Sequence, residues 1–320
     1  MPLIIGLLTF VAFGLLSLDA SLCSAQVGNE SSIVVRSCAL KCQLTPKKTQ
    51  NTREMHNPKD GATLVLIPKG DFWMGDRDDV YNPRRKVWLS AFSIYKDLVS
   101  VKQYREFCRQ SGHLMPSSPF YDEDWSGETL PICNVTWEDA MAYANWAGGT
   151  LPTEAQWEKA ARGTNGRRFP WGDDFDCSKV WGSHVISVGK TTPVGRYAIS
   201  PYGLTDMSGN VWQWCLDWYE RDYWKDARGK RKDPVNLVVR RKVIPRFVDG
   251  VSGSHVLKGG DWRTRDNRYF RCANRYYIPD WDILSCGFRV LLVPKQTMNG
   301  SVSLSVDNCY TSDNTGLQHK

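Results

Sequence analysis

Gly148-Gly-Thr-Leu-Pro-Thr-Glu-Ala-Gln-Trp-Glu-Lys-Ala-Ala-Arg-Gly163 is the stretch of this chain that says most about its fold. Thr153, followed three residues later by Gln156, forms a capping box that predicts the start of a helix. Trp157, Ala160 and Ala161 recur at helical spacing and form the predicted buried face. Gly163 predicts the end of the helix, because glycine readily adopts the left-handed backbone of a C-cap.

Two more helices are predicted on the N-terminal side of this stretch. Ser100 precedes a segment that carries Tyr104, Phe107 and Cys108 on one face. Thr136 opens Thr-Trp-Glu-Asp, a variant capping box, and a stripe at helical spacing follows it, made of Trp137, Ala140, Met141 and Ala144. A strand is predicted over 62–68, and short strands and turns follow from about residue 164.

Composition narrows the fold class further. The 320 residues include 14 Trp and 26 Gly, which favours large rings packed among turns over a helical bundle or a Leu-rich parallel sheet. No repeat of fixed period occurs, so a solenoid is excluded. The five His residues lie far apart in sequence, so a three-His metal site is not expected.

The N-terminal segment and the glycosylation sequons predict a secretory protein. Residues 3–17 are apolar and uncharged, and small residues follow up to Ala25, which predicts a signal peptide over 1–25; an uncleaved anchor is the alternative. Residues 26–59 are polar and Lys-rich and are predicted to be a flexible arm, and residues 295–320 a C-terminal tail. Glycosylation sequons begin at Asn29, Asn134 and Asn299. Nine cysteines remain after cleavage, and most are expected to form disulfides in an oxidising compartment.

Six stretches, in order, resemble the sulfatase-modifying-factor family, the formylglycine-generating enzymes. They are 74–75, 148–163, 169–172, 203–214, 256–262 and 287–290. The resemblance covers roughly residues 60–294 and implies an α+β, C-type-lectin-like fold of the formylglycine-generating-enzyme variant, with little regular secondary structure. Trp157, Trp171, Trp212 and Trp214 are then predicted to be core rings.

The resemblance implies an oxidase, but the chain departs from the family at the catalytic residues. Active members oxidise a substrate cysteine with oxygen and a copper ion that two cysteines hold, and soft thiolates suit Cu(I). Here those positions fall on Thr264 and Asn267, and no cysteine lies between 216 and 271. Copper is therefore not expected, and the protein is predicted to lack the oxidase activity. Cys272 and Cys286 are the fallback for a displaced catalytic pair.

The family also binds calcium near its Gly-Asn-x-Trp-Glu-Trp motif, which implies Asn210 and Gln213 as candidate ligands here. Gln213 stands where the family has Glu, so the site keeps an oxygen but loses a charge. Because Ca²⁺ favours carboxylates, any calcium site is predicted to be weak.

The family's peptide-binding groove provides the predicted ligand site. Its candidate residues are Asp261, Trp262, Thr264, Asn267, Arg268, Arg275, Tyr276 and Trp281. Aromatic side chains mixed with Arg and Asn suit recognition of a polypeptide or a glycan. A second candidate surface is the basic insertion over 220–247, which carries most of the formal net charge of +7. It would bind an acidic partner such as a sulfated glycan or lipid headgroups, or else is a solvated loop.

Three functions are consistent with these features. The first is a secreted, non-catalytic binding protein that uses the groove. The second is a formylglycine-generating-type oxidase with a non-standard site. The third is a diversified C-type-lectin-like ligand-binding protein. Nucleic acid is not an expected partner of a secreted chain, and no membrane span is predicted after signal cleavage.

Overall fold

The computed structural model describes residues 54–182, 189–197, 199–225, 229, 231–237, 254–278, 283–296 and 302–304. The predicted signal peptide, most of the predicted arm, and the sequons at Asn29 and Asn299 lie outside these residues. None of the helices in the described residues is long and apolar enough to cross a bilayer.

Three helices occur among the described residues, and all three begin at the residues that the sequence predicts. They are α1 Val101–Ser111, α2 Trp137–Trp146 and α3 Glu154–Arg162. Ser100, Thr136 and Thr153 each form a complete capping box with the residue three positions later. Such a cap stabilises a helix by about 1 kcal/mol, which matters for helices of only two or three turns.

The strands are short, as the sequence predicts for a chain rich in Trp and Gly. Numbered along the chain, they are β1 Glu54–His56, β2 Thr63–Ile67, β3 Gly70–Met74, β4 Arg85–Leu89, β5 Phe92–Tyr95, β6 Trp212–Trp218, β7 His255–Lys258, β8 Cys286–Gly287, β9 Leu291–Leu292, β10 Pro294–Gln296 and β11 Val302–Leu304. They form a four-stranded sheet in the order β1-β2-β5-β9, a β3–β4 hairpin, a three-stranded sheet β7-β6-β8, and a β10–β11 hairpin.

Two large apolar clusters form the core. The first holds α1 and α2 with Trp212, Trp214 and Cys286. The second holds α3, β3 and β4 with Cys215 and Cys272. Trp157, Trp212 and Trp214 are at most 5% exposed, which confirms them as core rings. Trp171 is only half-buried and stacks on Phe169 in a small third cluster.

Two predicted boundaries need correction. The predicted arm over 26–59 extends too far, because Glu54–His56 pairs with β2 and Asn57 donates its side-chain nitrogen to Tyr95 Oη at 2.6 Å. An edge strand needs backbone pairing on one side only, so polar residues can form it without an apolar pattern. The predicted tail over 295–320 begins inside a hairpin, because Pro294–Gln296 pairs with Val302–Leu304.

The predicted pairing of most cysteines is wrong for five of the described thiols. Within the part of the chain that the structure describes, Cys108, Cys133, Cys177, Cys215 and Cys272 form no disulfide. Cys133, Cys215 and Cys272 are buried within the apolar clusters, where a thiol packs as a small apolar side chain.

Candidate functional site

A wall of three aromatic rings stands where the groove is predicted. Trp212 lies on β6, and its ring stacks on Tyr276 with centroids 4.6 Å apart and planes 14° apart. Tyr269 meets both rings edge-on, with centroid distances of 6.0 Å to Trp212 and 5.4 Å to Tyr276. Tyr276 is fixed by its backbone, which exchanges two hydrogen bonds with Leu257 of β7. The sheet therefore holds the wall in place.

Asp261 organises the polar side of the site. Its Oδ1 accepts hydrogen bonds from Thr264 Oγ1 at 2.6 Å and from the Arg263 backbone N–H at 3.1 Å. Its Oδ2 accepts from Arg263 Nε at 3.1 Å and from Ser285 Oγ. Arg263 Nη2 also donates to Ser285 Oγ at 2.8 Å. This closed network stands at the position that the sequence assigns to the first catalytic cysteine.

A cavity of about 420 Å³ lies between the aromatic rings and this network, and we call it the aromatic groove. Its lining residues are Trp212, Asp261, Arg263, Thr264, Arg265, Asp266, Tyr269, Tyr276 and Ile278. The Arg265 side chain is exposed to solvent, whereas Asp261 is 2% exposed and Thr264 is 8% exposed. A ligand in the groove would thus meet aromatic ring surface, the solvated guanidinium of Arg265 and the rigid hydrogen-bonded network of Asp261.

The structure brings together only part of the predicted set. Asp261, Thr264 and Tyr276 line the aromatic groove. Trp262 is 6% exposed and packs edge-on against Tyr121 at 5.5 Å.

Two exposed residues of the predicted set, Asn267 and Arg268, lie in the 3₁₀ turn Asn267–Phe270. Both Arg268 Nε and Arg268 Nη2 donate to Asp266 Oδ2, at 2.8 and 2.6 Å. Trp281 lies outside the described residues.

Arg275 is the clear error among the groove predictions. Its side chain is 4% exposed, and its Nε donates to Glu154 Oε1 at 2.7 Å. The Arg275 guanidinium therefore belongs to a buried charge cluster at the start of α3. Arg275 was predicted there because it lies in the segment that the family resemblance assigns to the groove, but its side chain enters the core after a backbone turn at 271–274.

Some residues of the groove lining and of the Asp261 network were missed or undervalued from the sequence. Ser285 and Tyr269 were not predicted to contribute, and Trp212 was predicted only as a core ring. Tyr269 stands inside the Asn-Arg-Tyr-Phe-Arg run, where an aromatic residue between two arginines is a usable signal. Ser285 gives no such signal, because only folding brings it next to Asp261 across 24 residues.

The oxygens of the two calcium candidates are occupied by protein donors. Gln213 Oε1 accepts hydrogen bonds from Trp157 Nε1 and Arg289 Nε, both at 2.8 Å. Asn210 Oδ1 accepts from the Thr192 backbone N–H at 3.1 Å. Because the Arg289 guanidinium lies against Gln213, a cation there would meet a buried positive charge. Within the described residues no group of three His, Cys, Asp or Glu side chains could hold a metal ion.

The fallback cysteines lie apart in the core. Cys272 belongs to the second apolar cluster and Cys286 to the first, and each is 0% exposed. Burial raises the pKa of the Cys272 thiol to about 12, which disfavours the thiolate that copper or a nucleophilic role requires. This geometry gives the displaced pair no support.

The described part of the basic insertion packs against the β3–β4 hairpin through cation–π contacts. The Arg221 guanidinium lies 3.9 Å from the Tyr81 ring centroid, and Lys232 Nζ lies 4.1 Å from that of Trp88. Asp233 accepts hydrogen bonds from the backbone and hydroxyl of Ser90, at 2.6 and 2.9 Å. These described residues are therefore fixed to the fold; residues 238–253 lie outside the described part.

The sequon at Asn134 is partly buried. Asn134 has a positive φ of 59°, and its Nδ2, the atom that would carry a glycan, donates to the Ser117 carbonyl at 2.8 Å. Glycosylation there stays a prediction.

Comparison of the sequence with known proteins finds a matching family model and several similar proteins. A family model described as the sulfatase-modifying factor enzyme 1-like domain matches residues 49–293. The formylglycine-generating enzyme of Thermomonospora curvata is 30% identical over 294 residues, covering 72% of this chain and 93% of its own length. The serine/threonine-protein kinase pkn1 of Chlamydia caviae is 36% identical over 267 residues, covering 77% of this chain and 40% of its own length.

Solved structures confirm the predicted fold. PvdO from Pseudomonas aeruginosa aligns with a TM-score of 0.59 at 23% identity, covering 77% of this chain and 98% of its own. Treponema denticola variable protein 1 aligns with the same TM-score at 21% identity, covering 77% of this chain and all of its own. The fold is the formylglycine-generating-enzyme variant of the C-type-lectin-like class.

Proposed function

The chain belongs to the sulfatase-modifying factor enzyme 1-like family, and we propose that it is a binding protein which holds a polypeptide in the aromatic groove without copper-dependent oxidation. Its relatives include both formylglycine-generating enzymes and protein kinases, so the family domain occurs in proteins of different activity. The function therefore has to be argued from the residues of this groove.

The Asp261 network carries the proposal. Cu(I) binds soft thiolates, whereas Thr264 and Asp261 offer hard oxygens that are already hydrogen-bonded to one another at 2.6 Å. Asn267, at the second cysteine position, is an exposed amide in a 3₁₀ turn. These residues do not fit a copper ion, so no oxidative step is derived through one.

The lining of the groove favours a polypeptide. Half-buried Tyr269 and Tyr276 present ring surface for side chains, and aromatic residues give much of the binding energy at protein interfaces. The exposed Arg265 guanidinium can donate to backbone carbonyls or a carboxylate of the ligand. Because the sheet and the Asp261 network already hold the groove residues in place, these residues lose little conformational entropy when a ligand binds.

The first experiment tests whether the protein binds Cu(I) and oxidises a substrate cysteine. The reduced protein is titrated with Cu(I) and incubated with oxygen and a Cys-x-Pro-x-Arg peptide, alongside the formylglycine-generating enzyme of Streptomyces coelicolor as positive control. We expect no stoichiometric copper and no peptide aldehyde by mass spectrometry. Aldehyde formation by this protein would establish the oxidase alternative and overturn the proposal.

The second experiment tests binding. A random peptide library is selected on the purified protein, and the affinities of enriched peptides are measured by fluorescence anisotropy. Tyr276→Ala should weaken binding roughly tenfold or more, because it removes a ring of the groove wall. Tyr277→Ala is the matched control, since Tyr277 is equally half-buried but does not line the groove. The proposal would be contradicted if Tyr276→Ala left the affinity of the enriched peptides unchanged. Binding of glycans on an array but not of peptides would also contradict it.

A further inference from the structure

A second cavity adjoins the aromatic groove and shares Tyr269 with it. It has a volume of about 370 Å³, and we call it the Asp76 cavity. Its lining residues are Asp76, Asp78, Asp79, Val80, Tyr81, Arg268, Tyr269, Arg271, Ala273 and Asn274. Because Tyr269 lines both spaces, a chain bound in the groove would lie next to this cavity.

Three buried polar atoms of this lining have no hydrogen-bond partner among the described residues. They are Asp76 Oδ2, Arg271 Nε and Asn274 Oδ1. Asp76 Oδ2 lies 3.8 Å from Arg168 Nε and 3.8 Å from Arg271 Nη1, beyond hydrogen-bonding distance. A buried polar atom without a partner is costly, so three of them on the residues of one cavity make it a candidate site for a group that supplies the missing hydrogen bonds.

The wall that carries these atoms is rigid. The loop after β3 is closed by two backbone hydrogen bonds, from Asp76 N–H to the Asn82 carbonyl and from Arg84 N–H to the Asp76 carbonyl, each 2.9 Å. Asn82 Nδ2 donates to the Ala273 carbonyl at 2.8 Å, which ties this loop to the segment that carries Arg271 and Asn274. The backbone that carries the Asp76 and Asn274 side chains is thus fixed before any ligand binds.

The other charges of the cavity are engaged with protein groups. Asp78 pairs with Arg168 at 2.5 Å, Asp79 Oδ1 accepts the Tyr81 and Asn82 N–H groups, and Arg268 pairs with Asp266. A cationic ligand would meet Arg268 and Arg271, whereas an anionic ligand would meet Asp76, Asp78 and Asp79. A neutral ligand group avoids both penalties.

We propose that the Asp76 cavity is a recognition subsite for a primary carboxamide, the side chain of Asn or Gln. The NH₂ group supplies two donors, one for Asp76 Oδ2 and one for Asn274 Oδ1, and the carbonyl oxygen accepts from Arg271 Nε. A hydroxyl has a single donor and would leave one acceptor unpaired. The Arg271 side chain is 29% exposed, so a rotamer change can turn Nε toward the ligand.

This inference deepens the proposed polypeptide-binding function and rests on it only for the identity of the natural ligand. The probe is therefore a small molecule, the methylamide of N-acetylglutamine, titrated into the ¹⁵N-labelled protein with the Arg Nε–H and Asn side-chain resonances observed by NMR. Methylamides of N-acetylglutamate and N-acetyl-lysine are the charged counterparts. We expect saturable shifts of Arg271 and Asn274 with the glutamine probe and at least about tenfold weaker binding of the two charged probes.

Variants of the lining give a second readout. Asp76→Asn keeps the oxygen that accepts the Arg77 N–H and turns the other acceptor into a donor, so glutamine-probe affinity should fall about tenfold. Asn274→Asp adds a negative charge and should shift preference toward the lysine probe. Arg77→Ala is the matched control, because Arg77 adjoins Asp76 but does not line this cavity.

Equal binding of all three probes, no saturable binding, or binding of N-acetylglucosamine in their place would overturn the carboxamide subsite. Loss of peptide capture in the library selection with the glutamine probe still bound would instead count against the proposed function.

Discussion

His255 stacks between two indole rings. Its imidazole centroid lies 3.8 Å from that of Trp137 and 3.7 Å from that of Trp218. Nδ1 lies 3.2 Å from the Leu216 carbonyl, and Nε2 is buried with no hydrogen-bond partner in the described part of the chain. Burial lowers the pKa of His255 to about 4. The side chain is therefore a neutral packing ring in the folded protein.

Replacing His255 by Phe should remove one source of acid sensitivity. Between the ordinary His pKa of 6.5 and about 4, the unfolded chain takes up a proton that folded His255 excludes. Exclusion of this proton has no cost above pH 6.5, but it lowers the free energy of unfolding progressively as the pH falls from 6.5 to about 4. The total loss is about 3 kcal/mol. Urea unfolding at pH 7 and pH 4.5 should show wild type losing more stability than His255→Phe. Parallel losses in the two proteins would contradict the shifted pKa.

Gly75 forms the corner where β3 enters the Asp76 loop. Its φ is +82°, and a Cβ there would lie 2.6 Å from the Pro83 carbonyl oxygen and closer still to that of Asn82. Its N–H also donates to Glu158 Oε1 at 2.7 Å. The Met-Gly pair of the family resemblance is thus a backbone requirement of the loop.

Gly75→Ala should lower the free energy of unfolding by about 3 kcal/mol or more, since the strained φ and the clash with backbone add together. Gly112 is the matched control, because its φ is +75° and a Cβ there would meet nothing within 4 Å. Gly112→Ala should lower it by only about 1 kcal/mol. Similar losses in both variants, measured by urea unfolding, would show that the contact with 82–83 is unimportant.

At the scale of elements, α3 combines an expected apolar face with an unexpected set of buried charges. Glu158 and Arg162 are 0% and 1% exposed and pair at 2.5 Å. Lys258 of β7 donates to Glu158 from 3.3 Å. Burial opposes ionisation of Glu158, but Lys258, Arg162 and the Gly75 N–H outweigh it and hold the pKa below its usual range. Helix α3 therefore links β3 to β7 through charge as well as through apolar packing.

Glu158→Gln should lower the free energy of unfolding by about 3–5 kcal/mol, because it removes the carboxylate that pairs with buried Arg162 and leaves buried Lys258 only the more distant Glu154, at 3.8 Å. Glu106→Gln in α1 is the matched control: Glu106 also pairs with an Arg one turn later, at 2.6 Å, but both side chains are exposed. We expect no measurable change there, because solvent screens the pair. Thermal and urea unfolding of both variants test the contrast, and a mild effect of Glu158→Gln would refute it.

At the scale of the whole molecule, Asp217 joins three separate segments. It lies on β6, and its two oxygens accept the N–H groups of Glu154 in α3 and Asn236 in the basic insertion, at 2.7 and 2.9 Å. Burial, reinforced by the nearby Glu154 charge, raises the pKa of Asp217 to about 7. Ionisation of Asp217 therefore opposes folding near neutral pH.

The Asp217→Asn variant should gain stability relative to wild type as the pH rises. Folded Asp217 keeps its proton up to pH 7, whereas the unfolded carboxyl loses it near 3.8, so wild-type stability falls between those values as the pH rises. The difference between variant and wild type should become more favourable by about 2 kcal/mol from pH 5 to pH 8. Urea unfolding at both pH values measures it, and a pH-independent difference would contradict the argument.

Local sequence signals determined the helices and the family. Capping boxes at Ser100, Thr136 and Thr153 involve residues within four positions of one another, so the sequence alone identifies them. The prediction that Thr264 and Asn267 stand at the family's two cysteine positions likewise rests on residue identity. The spacing of Trp157, Ala160 and Ala161 also predicted the buried face of α3 correctly.

Only the tertiary structure determined where the polar side chains point and what they meet. Arg275 turns into the core to meet Glu154 across 121 residues, and Gln213 accepts from Arg289 across 76. The unpartnered atoms of Asp76, Arg271 and Asn274 share one cavity for the same reason. Charge pairing and hydrogen bonding depend on distances between segments remote in sequence, and a pattern with a period of a few residues holds no information about those distances.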